Sequence, residues 1–315
     1  MDHGHRPTTP EPKRDVDHRP APASLRLNVI LSFSLATLIL PGLSGCQTIK
    51  VSKQQSPVAL ISYDVLAREF NQHLLGLDQL AATMTMRFEW FDNDKKRTQQ
   101  ADGRLAVRIP SYLRLSVTHI AKPGFILWAG SNPHRYWLFD LRDKKKLHFG
   151  RQAGARTKSA GILQEMLDPR QVPWLLGIMP LDEKYGTESP TVSEHDGHYM
   201  VDLPSQQCRL WIDPLSYQAV RVDLFNDQGK SFVTAWLSKF KPVDIAGRPP
   251  DGRTRIASAI KITWADGKQQ LQLRLSPASL RNHGIGDNQF DFDRLMDYFK
   301  VPIEHQVNLD IPESE

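Results

Sequence analysis

Cysteine and histidine are the side chains in this 315-residue sequence that could support covalent or metal chemistry. The chain has only two cysteines, Cys46 and Cys208, which are too few for a disulfide framework or a four-cysteine zinc site. His195 and His198 flank an Asp-Gly pair and could offer two ligands to a metal ion. Two ligands do not complete a site, and Asp-Gly is also the sequence of a two-residue hairpin turn. We therefore favour a hairpin and predict no metal and no cofactor.

Motifs of common catalytic sites do not occur in the sequence. It contains no G-x-S-x-G, H-E-x-x-H, Walker or G-x-G-x-x-G pattern. The pair Gly284 and Gly286 lacks the third glycine of a dinucleotide fingerprint. We predict no catalytic residues and no enzymatic activity.

The overall charge and hydropathy describe a globular chain with a mild basic excess. Lysine and arginine total 40 against 35 acidic residues, which gives a formal net charge of +5. The mean hydropathy of −0.42 argues against a multi-span membrane protein. A basic excess of this size permits anionic partners without requiring them.

Cys46 lies at the end of a segment that is typical of an export signal. Residues 27–40 are uncharged and largely apolar, and Arg26 precedes them. This run is shorter than the about 20 residues of a membrane-spanning helix, and it matches the about 7–15 residues of a signal-peptide apolar region. The residues that follow, Leu43-Ser44-Gly45-Cys46, resemble a bacterial lipobox. The resemblance implies cleavage before Cys46 and acylation of its thiol with chains such as palmitate. The alternative is an ordinary secretory signal or an uncleaved anchor that happens to end in cysteine.

This export signal predicts where the protein is located and where its domain boundaries lie. Gln47, rather than aspartate, follows Cys46 and favours the outer membrane of a diderm bacterium, with the protein facing the periplasm. An exported protein is not expected to bind nucleic acid. We predict a tail plus signal peptide over residues 1–45, a tether over 46–60, a folded domain over 61–300 and a C-terminal tail over 301–315.

The mature sequence changes from helical to strand periodicity. Apolar residues at helical spacing predict an amphipathic helix over residues 61–80. From residue 83 the period becomes two, and short strands separated by turn residues follow to residue 275. No helices of 10–15 residues separate these strands, so the fold class is mainly β, with antiparallel strands rather than a parallel α/β sheet. Cys208 shares a strand face with Leu210 and Ile212, which predicts a buried thiol.

One face of the first three strands is apolar and forms the candidate ligand cavity. Large apolar side chains alternate with polar ones along these strands, at Met84, Met86, Phe88, Trp90, Leu105, Val107, Leu113, Leu115 and Val117. A plain filled core would produce the same pattern. An insertion between the two groups of strands, over residues 160–181, is rich in proline and apolar residues. It could cover this face as a lid, through Ile162, Leu163, Met166, Leu167, Trp174, Leu175 and Leu176.

In order and spacing, these segments resemble the LolA/LolB-like family of lipoprotein carriers and lipid-binding lipoproteins. The matching stretches are residues 103–115 (GRLAVRIPSYLRL), 136–140 (YWLFD), 162–176 and 209–214 (RLWIDP), within a resemblance over about residues 61–292. It implies a curved antiparallel half-barrel with an N-terminal helix and a helical lid over an apolar cavity. The soluble carriers place a lid-latching arginine where this chain has Ile109, and Arg108 is expected to point to the opposite face.

The resemblance implies a membrane-anchored lipoprotein that binds a lipid or an acylated protein for transport or acceptance in the cell envelope. Its partners would be the acyl chains of a lipid or lipoprotein, the membrane through Cys46, and possible envelope proteins. The alternative is a non-catalytic structural or sensory envelope module that binds a protein partner.

Overall fold

The first element is an amphipathic helix, α1 (Tyr63–His73). Its buried residues Tyr63, Leu66, Ala67 and Phe70 recur at helical spacing and form one apolar stripe. The sequence predicted a longer helix, to residue 80. The helix ends earlier because Gly76 adopts a φ of +78°, a conformation that glycine takes without a steric penalty.

The rest of the chain is dominated by β-strands. The computed structural model describes residues 59–93, 95–120, 124–142, 144–152, 169–183, 190–248 and 254–310. The strands within these ranges are β1 (Gln79–Asp92), β2 (Lys95–Arg108), β3 (Tyr112–His119), β4 (Phe125–Ser131), β5 (Arg135–Asp140), β6 (Lys146–Arg151), β7 (Thr191–His195), β8 (His198–Leu203), β9 (Cys208–Ile212), β10 (Ala219–Phe225), β11 (Ser231–Pro242), β12 (Arg255–Trp264), β13 (Gln269–Leu275) and β14 (Gln306–Asn308).

All these strands belong to one open sheet. Its order is β14-β6-β5-β4-β3-β2-β1-β13-β12-β11-β10-β9-β8-β7. Two antiparallel meanders, β1–β6 and β7–β13, therefore lie side by side and join through the antiparallel pair of β1 and β13. Only β14 pairs in parallel, with β6, among the described strands. The predicted mainly β, antiparallel fold class is confirmed.

The hairpin predicted at the Asp-Gly pair is also confirmed. His195 pairs with His198 at the end of β7 and β8. Asp196 and Gly197 have φ values of 51° and 74°, as a type I′ turn requires at both central positions.

The sheet curves around α1. Leu113 of β3 and Val201 of β8 lie far apart in the strand order, yet both belong to the same buried cluster as Leu66 of α1. A flat sheet could not bring these strands to one helix. We call the face of the sheet that packs against α1, and that carries Leu113 and Val201, the inner face. The opposite face of the sheet is the outer face.

A short helix that the sequence analysis did not predict covers part of the outer face. Helix α3 (Phe292–Phe299) buries Phe292, Leu295 and Phe299 against aromatic residues of β5 and β6. Asp291 caps it by accepting a hydrogen bond from the Arg294 amide. The remaining helix, α2 (Val172–Leu175), lies on the inner face.

Residues 301–310 depart from the C-terminal tail predicted for 301–315. Val301 is buried in the same cluster as α3, and Gln306–Asn308 form β14. The chain therefore returns to the sheet after α3 and extends it by one strand at the β6 edge. None of the helices in the described ranges is long and apolar enough to cross a membrane.

Candidate ligand-binding face

All nine residues of the predicted cavity share the inner face. Cross-strand pairs place Leu105 opposite both Ala82 of β1 and Leu115 of β3, and Val107 opposite Leu113. Because side chains alternate along a strand, these registers align one apolar row on each of the three strands. The rows consist of Met84, Met86, Phe88 and Trp90 on β1, Leu105 and Val107 on β2, and Leu113, Leu115 and Val117 on β3.

Burial divides these nine residues into two groups. Val107, Leu113 and Leu105 are buried, at 3% exposure or less, in the cluster that contains α1. Met84 and Val117 are buried as well. The other four residues are only half-buried. They are Leu115 of β3 and three residues in the second half of β1, Met86, Phe88 and Trp90. The inner face is therefore a filled core near α1 and a partly open apolar surface beyond it.

Part of the predicted lid packs on the inner face. Trp174, Leu175 and Leu176 are buried in the cluster that contains α1, with exposures of 9%, 1% and 4%. The next residue, Gly177, has a φ of +66°, and a Cβ there would lie 3.0 Å from Leu237 of β11. The segment thus approaches the sheet too closely for a larger residue. The other predicted lid residues, Ile162, Leu163, Met166 and Leu167, lie outside the described residues, as does Cys46.

Helix α1 fastens the segment that follows α2. The Asn71 side-chain amide donates to the Leu181 carbonyl and accepts from the Leu181 amide, each at 2.8 Å. The Tyr63 hydroxyl donates to the Asp182 carbonyl at 2.8 Å. Sequence reasoning missed this clamp, because neither partner carries a pattern that predicts a contact so distant along the chain.

The half-buried surface continues onto strands that the sequence analysis did not assign to the site. Leu271 and Leu273 of β13 pair with Phe88 and Met86, and pack against the main cluster. Trp264 of β12 meets Phe88 edge to face at 6.2 Å. The same alternation that identified β1 is present in both strands and could have identified these residues.

Two strands of the inner face each carry a buried polar atom without a hydrogen-bond partner. The Trp264 indole Nε1 is buried and has no hydrogen-bond partner, and the same is true of His148 Nδ1 on β6. Burial, followed by the charge of Lys146, lowers the pKa of His148, which favours a neutral ring. These groups could bond to a ligand's polar atom.

Two residues singled out in the sequence occupy the predicted faces. Cys208 is buried at 2% exposure on the inner face, and burial raises the pKa of its thiol far above the usual range. Arg108 lies on the outer face, where it donates to Asp287 and to the Ile285 carbonyl.

The described ranges contain no group of three histidine, cysteine or acidic residues that could hold a metal ion. What the inner face offers a ligand is apolar contact area together with a few isolated donors. That combination suits the binding of a hydrocarbon chain with a small polar group.

Comparisons with known proteins give matches among solved structures. No family model matches the sequence, and no curated protein matches it. Among solved structures, the chain is similar to one described as an outer membrane lipoprotein-sorting protein domain from Vibrio parahaemolyticus, with 16% identity, a TM-score of 0.47, and coverage of 74% of this chain and 97% of that one. It is also similar to a LolA superfamily protein from Nitrosomonas europaea, with 12% identity, a TM-score of 0.47, and coverage of 75% and 100%. A DUF1329 family protein from Desulfovibrio piger gives 13% identity, a TM-score of 0.44, and coverage of 74% and 97%.

The first two of these structures are described in terms of lipoprotein sorting and the LolA superfamily, the group that the sequence resembles. Similarities of this size carry no functional argument. The half-barrel assignment rests on the strand order and on the burial pattern of this chain.

Proposed function

We propose that this protein is a bacterial lipoprotein of the cell envelope that binds an acyl chain of a lipid or of another lipoprotein on its inner face. The protein would be acylated at Cys46 and held at the outer membrane, facing the periplasm. It would transfer or accept its ligand without covalent chemistry.

The observation that carries this proposal is the change from filled core to half-buried surface along the inner face. Next to α1, side chains such as Val107 leave no exposed area. Farther along β1, Met86, Phe88 and Trp90 keep part of their surface accessible, together with Leu271 and Leu273 of β13. A hydrocarbon chain laid on this surface would gain about 0.8 kcal/mol per buried methylene.

The residue types on this surface suit a ligand of variable length. Met86 is unbranched and polarizable, so it can adapt its shape to different chains. The unpartnered Trp264 indole could donate to an ester or amide carbonyl of the ligand. We expect chain length to matter less than hydrocarbon character.

The proposed anchor supports the same role. One acyl chain gives marginal membrane binding, whereas two or more hold a protein firmly. A protein fixed by Cys46 at a membrane surface would have a supply of acyl chains in that membrane.

Native mass spectrometry of the full chain, extracted gently in nonionic detergent, tests the proposal. We expect bound lipid in addition to the covalent acyl chains of Cys46. Met86→Trp should fill the half-buried region and reduce the lipid-bound fraction several-fold. Thr98→Trp is the matched control, since it adds the same bulk at an exposed position on the outer face of β2.

A lipid-free mass from several expression hosts would contradict the proposal and favour the alternative of a protein-binding module. Equal lipid retention by Met86→Trp and Thr98→Trp would place the ligand elsewhere. Thermal unfolding of both variants separates loss of binding from loss of the fold.

A further inference from the structure

The outer face carries a groove that the proposed acyl-binding role does not use. It has a volume of about 690 Å³ and lies over β1–β4 and the end of β13. Its lining includes three arginines, Arg104, Arg114 and Arg274, and two aromatic residues, Phe125 and Trp128. Met84 also contributes to this lining, whereas the other inner-face residues of β1–β3 described above do not.

The strand registers bring the three arginines to one groove. Arg104 pairs with Ser116 of β3, and Arg274 pairs with Thr85 of β1. Neighbouring strands are about 4.8 Å apart, so guanidinium groups from β2, β3 and β13 can converge over β1 and β2.

The three arginines of this groove have no carboxylate partner among the residues that the structure describes. Arg104, Arg114 and Arg274 form no salt bridge and donate no hydrogen bond among the described residues. The only carboxylate in the lining is Asp102, which is exposed. Other outer-face cations do have partners: Arg87 and Lys96 both contact Glu89. The arginines of the groove therefore differ from Arg87 and Lys96, whose charges are balanced by Glu89.

Arg114 shows this imbalance most clearly. Its side chain is half-buried above the Trp128 ring, with 5.7 Å between the guanidinium carbon and the ring centroid. Its Nε is buried without an acceptor. Burial, followed by the charge of Arg104, lowers the pKa of the guanidinium. A buried donor that lacks an acceptor destabilises the protein unless a ligand supplies one.

The chemistry of the groove fits a phosphate group. Guanidinium groups present paired N–H donors that match two oxygens of one phosphate. Ser116 adds a buried hydroxyl on the floor, and Phe125 and Trp128 form an apolar wall beside it. We propose that this groove binds a phosphate group, supplied either as the free anion or as the headgroup of an anionic phospholipid.

Isothermal titration of the full chain in nonionic detergent tests the proposal with two probes. One is inorganic phosphate, and the other is a short-chain phosphatidylglycerol below its micelle concentration. We expect saturable binding of at least one probe. Arg114→Met should weaken it about tenfold or more, because a hydrogen bond to a charged group contributes that much. Arg294→Met is the matched control, since it removes one positive charge at an exposed position on α3.

Binding of phosphatidylglycerol much more tightly than inorganic phosphate, with the difference lost in Arg114→Met, would identify a lipid headgroup as the source. Equal binding of the two probes would identify the free anion. Failure of both probes to bind would overturn the proposal. Equal effects of Arg114→Met and Arg294→Met would overturn it as well. Thermal unfolding without ligand gives a second test. We expect Arg114→Met to melt at or above the wild-type temperature, whereas a purely structural arginine would lower it.

Discussion

Among single residues, the two cysteines are expected to differ most in reactivity. Cys208 lies on the inner face with Leu210 and Ile212, and burial raises the pKa of its thiol. The thiolate is the reactive form of cysteine, so this residue should be inert in the folded protein. Cys46 carries the proposed thioether and would offer no thiol.

This contrast predicts the result of thiol labelling on the mature protein. The folded protein should take up no maleimide, and the protein unfolded in urea should take up one equivalent, at Cys208. Intact mass spectrometry measures both values. Cys208→Ala should take up none in either state. A second equivalent after unfolding would show that Cys46 is not acylated.

Because side chains alternate between the two faces of a strand, the sequence predicts the face on which some residues lie. Alternation with Leu210 and Ile212 was sufficient to place Cys208 in the core, and alternation with Leu113 and Leu115 places Arg114 on the outer face. No local pattern shows that Arg104 and Arg274 line the same groove as Arg114. The pairing of β1 with β13 brings together residues that are far apart in the chain.

Among the elements, the clamp between α1 and the segment after α2 joins parts of the chain that are far apart in sequence. Asn71 makes two hydrogen bonds to the backbone of Leu181, which lies 110 positions along the chain. Each such bond contributes about 0.5–1.5 kcal/mol to stability. The clamp holds the buried Trp174 and Leu175 against the sheet.

Removing the clamp should loosen this segment without unfolding the sheet. Asn71→Ala is expected to speed hydrogen exchange at the Leu181 amide about tenfold, since a loss of 1.4 kcal/mol corresponds to that factor. Hydrogen-exchange mass spectrometry over residues 169–183 measures it. Gln72→Ala, at the neighbouring exposed position, is the control. Unchanged exchange in Asn71→Ala would mean that apolar packing alone holds the segment.

Most strands could be predicted from the sequence, whereas α3 and β14 could not. The periodicity of two extends over seven residues in strands such as β10 and β13, which is long enough to predict a strand. Helix α3 has eight residues, too few for a clear helical pattern, and β14 has three. Helix α3 forms because the outer face of β5 and β6 presents Trp137, Phe139 and Leu147, which need apolar cover. Strand β14 forms by pairing in parallel with β6 at the edge of the sheet.

At the scale of the whole molecule, the open sheet leaves two edges that must avoid pairing with other chains. At one edge β14 contributes only three residues. At the other, β7 is five residues long and ends in the exposed pair Glu194 and His195. Short edge strands and exposed charge are common devices against edge-to-edge association. The half-barrel can thus stay open without forming an extended sheet with a second copy.

The open sheet also separates the two proposed sites. Met86 faces inward from β1, whereas Arg114 faces outward from β3, with the sheet backbone between them. Sites that share no contacts have effects that add, within about 0.3–0.5 kcal/mol. The protein could therefore hold an acyl chain on one face and a phosphate group on the other independently.

The double variant Met86→Trp, Arg114→Met tests this independence. Met86→Trp should lower the lipid-bound fraction in native mass spectrometry by the same factor in both backgrounds. Arg114→Met should weaken phosphate binding by the same factor in both backgrounds, because neither substitution alters a residue that the other site contacts. If Arg114→Met alone also released the bound lipid, the two faces would be coupled. A single amphiphile reaching around the sheet would then be the better description of the ligand.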